Sequence, residues 1–380
     1  TTLYGGANET QFIVANNNDT LDDIQGALTL HGGGIFNFAE IIDALNTVGH
    51  NYTLSSDPTS GNHVDRDGMA DISYDGLGEF IVQASDNPYT PPSPNTVAVT
   101  GTAANASTIL LVRSTDTVIL GAPLGNGTHT METFLGEFRV QSLSTDSPSV
   151  VVDDSGNPST TPRTVTFDRD PNNGSPIYYI DGLAPAPIYL QVGNGSHVAL
   201  FGNNADETFK INALPPGVAI SINGEGGDNT LDYSGYTGDV TVDLPLGYAT
   251  GLTGGISNIR NVVGSLGNDI LVGDGQANVL MGGTGRNILI AGQGGGDTLI
   301  GGPSQNILIA GYTDDDLDVG ALDSVMAQWV SGNAEPFAVS QVHPDTSADA
   351  LVGGGQNWFL YAAGEDQLSN VQSGDVLTAI

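Results

Sequence analysis

The chain contains no cysteine. Disulfide bridges, thiolate metal ligands and thiol nucleophiles are therefore excluded. Only eight of the 380 residues are Lys or Arg, and Lys210 is the single lysine. So few scattered cations cannot neutralise a phosphate track, which excludes nucleic-acid binding. No stretch approaches the ~18 apolar residues of a membrane-spanning helix, so no membrane insertion is expected. Glutamate is also scarce, nine of 43 acids. Glu and Lys populate exposed helix faces, so their shortage argues against an all-α fold. No G-x-S-x-G, H-E-x-x-H or P-loop sequence occurs.

What remains is Asp, Gly and small strand formers. There are 34 Asp and 53 Gly, and the net charge is −35. Hydrophobic residues make up 39%, enough to bury a long core. Asp, Asn, Gly and Thr suit turns and strand edges. Such acidity fits a secreted protein that meets divalent cations. The start at Thr1, inside strand-like sequence, points to a removed signal or longer N-terminal region. Seven Asn-x-Ser/Thr sequons (Asn8, Asn18, Asn51, Asn105, Asn126, Asn173 and Asn194) permit glycosylation.

Internal repetition is the main signal. From Gly264 the chain reads GSLGNDILV, GDGQANVLM, GGTGRNILI, AGQGGGDTLI, GGPSQNILI and AGYTDDDLD, nine residues at a time except for one insertion. Each row opens on Gly or Ala and carries Asp or Asn near the sixth position. Leu271, Leu280, Leu289, Leu299 and Leu308 recur at the eighth. One row cannot bury its Leu alone, whereas stacked rows bury a continuous ladder.

These rows resemble the hemolysin-type calcium-binding nonapeptide (RTX) family, over about 50 residues. The resemblance implies a parallel β-roll in which alternate rows share a face. It also implies Ca2+ between them, held by sixth-position acids and by turn carbonyls such as those of Gly282 and Gly292. The sixth positions here are Asp269, Asn278, Asn287, Asp297, Asn306 and Asp315. Alternate-row pairing sets Asp269 with Asn287, Asn278 with Asp297, and Asn287 with Asn306. Only Asp297 with Asp315 then gives two carboxylates. Because calcium affinity follows ligand charge, that pair is the first candidate and Asp269 the second. The alternative is a metal-free stack in which Asn side chains hydrogen-bond along a ladder.

A weaker repeat of about 105 residues covers the remainder. Ile72–Leu77 returns at Tyr178–Leu183, and Asp65-Arg66-Asp67 returns as Asp168-Arg169-Asp170. The expected organisation is two β-solenoid units, 1–121 and 122–222, then an RTX-like roll, 223–318, then a helix and cap, 319–380. Residues 87–95 and 147–162 read as loops. Asn37 to about Val48 reads as a short helix opened by a capping box. A second helix, 317–330, places Leu322, Val325, Met326 and Trp329 on one face and is expected to shield the last coil. Trp358, Phe359 and Tyr361 read as cap aromatics of a degenerate closing repeat.

His63 to Asp71 matches part of an EF-hand loop, with Asp65, Asp67 and Asp71 as candidate ligands but no closing Glu. Carboxylate neighbours such as Asp22/Asp23, Asp153/Asp154 and Asp314–Asp316 leave a polysaccharide lyase or epimerase on a β-helix as an enzymatic alternative. The favoured expectation is a non-enzymatic, all-β, elongated parallel β-solenoid with a short capping helix. It would be extracellular or on the cell surface, stabilised by Ca2+ and assembled end to end with itself. A segment binding extracellular glycans is the other alternative.

Overall fold

The computed structural model describes all residues except 17, 34–36, 47, 58–60, 85–93, 114, 125–126, 143–144, 173–176 and 334–338. Most of the loop expected at 87–95, and the sequons at Asn126 and Asn173, lie outside the described residues. Among the described residues the chain is all-β apart from one α-helix, Val319–Val330, and one 3-10 turn. It forms two compact units.

The first unit comprises Thr1–Ser159, Val165–Asn204 and Leu214–Ser221. One series of strands runs Thr10–Val14, Asn37–Ile42, Glu79–Gln83, Ser107–Val112, Phe138–Ser142 and Ile188–Gln191, each parallel to the next. Their register stacks Val14, Ile41, Val82, Leu110, Val140 and Leu190 in one buried column. A second parallel series stacks Val99, Leu120, Val152 and Leu200. Residues alternate between buried and partly exposed along these strands, the period-2 signature of a half-buried sheet.

Three expectations are corrected here. Asn37–Ile42 is a strand, not a helix. Its β-branched residues pair on both sides with parallel neighbours, and those pairings override the capping-box pattern. Residues 149–153 form a strand within the expected loop 147–162, with Val150 and Val152 buried. The winding is not parallel throughout, because each copy of the long-period repeat folds on itself as an antiparallel pair: Gly61–Arg66 pairs with Ile72–Asp75, and Phe167 and Arg169 pair with Ile180 and Tyr178.

The second unit comprises Thr160–Thr164, Ala205–Ala213 and Ile222–Ile380. The nonapeptide leucines fall into two columns, alternate rows sharing a sheet. Leu231, Val262, Leu280, Leu299 and Leu351 form one, and Val242, Leu271, Leu289, Leu308 and Phe359 the other. All ten are fully buried. Ala350–Val352 and Asn357–Tyr361 continue both columns, and Gln367–Ser369 and Val376–Ala379 follow them, so Trp358, Phe359 and Tyr361 lie within the stack and do not cap it.

The helix does not shield a last coil. Leu322, Val325, Met326 and Trp329 pack on Ile270, Val272, Ile288, Ile290, Ile307, Ile309, Trp358 and Leu360. These are the outward residues of the strands that carry Leu271, Leu289 and Leu308, so that sheet is buried on both faces. Asp318 caps the helix by accepting the Ala321 N–H at 3.0 Å. At the other end Arg286 Nη1 donates to the carbonyls of Trp329 (3.0 Å) and Val330 (2.6 Å).

Candidate metal centre

Apart from Asp315, the sixth-position side chains are buried and form hydrogen-bonded ladders. Asn287 Oδ1 accepts the Asp269 N–H at 2.9 Å, and Asn306 Oδ1 accepts the Asn287 N–H at 3.1 Å. On the other sheet, Asp297 Oδ1 accepts the Asn278 N–H at 2.6 Å. These three contacts match the alternate-row pairing read from the sequence. The fourth pairing is corrected: Thr298 is in register with Ala350, so the residue stacked on Asp297 is Asp349, not Asp315. Asp349 Oδ1 accepts the Asp297 N–H at 2.7 Å. Asp315 lies before the helix, where its N–H donates to Thr313 Oγ1.

The second atom of each side chain separates the rows chemically. The Asn residues bring an amide donor. Asn287 Nδ2 reaches the carbonyls of Thr284 and Gly301 at 3.3 Å, and Asn306 Nδ2 reaches that of Ser304 at 2.9 Å. Asn278 Nδ2 donates to the Arg260 carbonyl at 2.8 Å. Asp269 has no amide, but both its oxygens are satisfied, by the N–H groups of Val240 and Ser265 and by Ser265 Oγ. Even so, burial pushes its carboxyl up to about 6, against the pull of those donors.

Asp297 and Asp349 have neither arrangement. Both are 1% exposed, and Oδ2 of each is buried with no hydrogen-bond partner. Nearby Asp345 also holds a buried, unpartnered Oδ2. Asp366 and Asp375, later in the same ladders, take N–H bonds on Oδ2 from Ala362 and Gln372 in their own turns. The Asp297 turn carries the extra residue of the 291–300 row. Gly294, Gly295 and Gly296 there adopt φ of +97°, +119° and +76°, and the Gly295 N–H points instead to Ser347 Oγ. Burial, with the charges of Asp349, Asp345 and Asp274, pushes the Asp297 carboxyl up to about 8; burial and Asp345 push Asp349 up to about 6.

Neighbouring parallel strands lie about 4.8 Å apart, and a Ca–O bond is about 2.4 Å. Equivalent oxygens on adjacent rows are thus spaced to share one hard cation. Among the described residues, no three acids or imidazoles converge as a ready-made cluster. The acids come as a stacked pair, and backbone carbonyls and water would have to complete a coordination sphere. The turn glycines are packed too closely for side chains. A Cβ on Gly292 would lie 2.5 Å from the Gly273 carbonyl, and one on Gly282 would lie 2.6 Å from Asn287 Nδ2.

The EF-hand-like acids are not brought together. Asp65 is exposed in the strand Gly61–Arg66. Asp67 bonds His50 Nδ1 at 2.6 Å and Asp71 bonds His63 Nδ1 at 2.9 Å. Arg66 between them is buried, donating to Asp43 at 2.7 Å and to Asp22 at 2.9 Å. The enzymatic carboxylates are similarly engaged: Asp153 with His129, and Asp314 with His343, both at 2.7 Å. Sequence reasoning missed these His–Asp pairs because they join residues up to 29 positions apart. It also missed Asp349, which lies beyond the helix.

Comparison with models of protein families and with curated proteins gives no match.

Proposed function

We propose that the chain is a structural β-solenoid of the RTX kind, extracellular, and locked by calcium at the stacked carboxylates Asp297 and Asp349. The observation that carries this reading is the pair of buried, unpartnered Oδ2 atoms on stacked rows, where Asn278 in the same ladder and Asn287 and Asn306 in the neighbouring one each supply a donor. A buried carboxylate without a partner is strongly destabilising unless it is protonated or meets a cation. A calcium-rich medium provides the cation, and binding then couples to folding. The parallel columns support the winding, since each row hands its apolar residue to the next.

Self-association is part of the reading. Among the described residues, Val376–Ala379 pairs on one side only, with Asn357–Tyr361, and leaves Val376 and Leu377 39% and 48% exposed. Such an open edge accepts a further strand. A second copy is the occupant we favour, and filaments in negative-stain micrographs are the expected result.

Calcium titration followed by circular dichroism and calorimetry, reversed with EGTA, tests the metal. Asp349→Asn should remove one calcium per chain. In EGTA it should raise the melting temperature, because Asn brings its own donor. Equal calcium stoichiometry in wild type and variant would overturn the assignment.

A further inference from the structure

A second pair of acids stands outside the nonapeptide positions. Asp243 ends the strand Thr241–Asp243. Its register partner is Val272, and the same column continues through Ile290, Ile309 and Leu360. An acid therefore occupies a column that is otherwise aliphatic and lies on the face where the helix packs. Asp243 is 0% exposed. Its Oδ1 accepts the Leu246 N–H at 2.9 Å, while Oδ2 is buried with no partner.

Asp316, in the segment leading into the helix, carries the second carboxylate. Thr313 fixes it through both N–H (2.9 Å) and Oγ1 (2.6 Å), which leaves its second oxygen for another ligand. The charges of Asp243 and Asp315 both act on Asp316, and with burial they push it up to about 6. Asp316 and Pro245, two residues beyond Asp243, line one cavity of about 620 Å³, together with Asp274, Thr313, Asp314 and Gln293. The cavity brings solvent to Asp316 and to the chain just beyond Asp243.

We infer that Asp243 and Asp316 form a distinct site for a hard divalent cation such as calcium, which fastens the segment before the helix to the strand Thr241–Asp243. Two neighbouring carboxylates, one of them fully buried with an unpartnered oxygen, otherwise repel beside an apolar packing face. A divalent ion converts that repulsion into a cross-link between Thr241–Asp243 and the turn at 313–318. Carboxylate oxygens are hard donors and suit calcium rather than a softer metal, with water and backbone carbonyls completing its sphere.

The test is calcium stoichiometry of the full chain by native mass spectrometry and equilibrium dialysis. Asp243→Asn should bind one calcium fewer than wild type, and Asp349→Asn should lose a different one, so the double variant loses two. Terbium luminescence excited through tyrosine should fall severalfold in Asp243→Asn and persist in Asp349→Asn, because Tyr248 lies opposite Asp243 in the hairpin. If Asp243→Asn misfolds, Asp316→Asn serves the same measurement. Unchanged stoichiometry in the variant would overturn the inference. So would a wild type that binds a single calcium lost in Asp349→Asn. A single calcium lost only in Asp243→Asn would uphold this site and overturn the one at Asp297.

Discussion

Asp349 sits one row beyond Asp297 and accepts its backbone N–H at 2.7 Å, yet Oδ2 of both side chains is buried with no donor. In the neighbouring ladder, Asn287 and Asn306 meet the same stacking with an amide that donates to carbonyls. The two kinds of row solve one electrostatic problem differently. Asparagine carries its donor, whereas Asp297 and Asp349 each leave an oxygen that the proposed cation would satisfy.

Asn287→Asp should therefore invert the behaviour of a metal-independent row. The new carboxylate would face the carbonyls that Nδ2 now satisfies, those of Thr284, Gly285 and Gly301. With chelator present, urea unfolding should show a loss of about 3–5 kcal/mol. Added calcium should recover part of it. A variant as stable as wild type in chelator would contradict this account.

Stability without metal should fall as the medium becomes more alkaline. Unfolded Asp titrates near 3.9. Folded Asp297 is pushed up to about 8, and Asp269 and Asp349 to about 6, in each case by burial first. Between those limits the folded chain holds protons that the unfolded chain has shed, so this contribution is complete below the unfolded value and lost as pH rises through the folded ones. Melting temperatures in EGTA should drop from pH 5 to pH 8. Calcium should flatten the drop by holding the deprotonated form. A melting temperature that rises over this range in EGTA would refute the prediction.

Arg286 is the cation that closes the helix. Arg286→Ala strips the carbonyls of Trp329 and Val330 of their charged donor, a change worth about 1.5–3 kcal/mol. Trp329 and Trp358 share one cluster, so tryptophan fluorescence should report an earlier unfolding of the helix. Arg286→Lys should restore part of the loss. Coincident unfolding of variant and wild type would show that the clamp contributes nothing.

The columns were legible because a period of nine residues writes Leu271, Leu280, Leu289, Leu299 and Leu308 directly into the chain. The apolar face of the helix was legible for the same reason. Its docking surface was also written, but overlooked. Rows of one sheet read ILV and ILI and are buried throughout, whereas VLM in the other leaves Val279 37% and Met281 38% exposed. An apolar triplet in a short strand means that both faces are covered. The Asp297 partner was not legible. Residues 310–318 mimic a sixth row, with Ala first and Asp sixth. In the fold, however, Tyr312–Thr313 turns aside to pair antiparallel with Val342–His343. Local pattern cannot reveal that the chain leaves the stack and re-enters it.

That departure bears on the order in which the molecule assembles. Contacts between successive equivalent rows normally span 18 or 19 residues, but Asp297 meets Asp349 across 52. Closing the longer loop costs roughly 1 kcal/mol more in chain entropy. The rows before the detour can zip up from local contacts, while the final rows wait for the excursion to come home. An ion gripped at the junction would latch the late-arriving segment to the early one, at the step where the pathway is slowest.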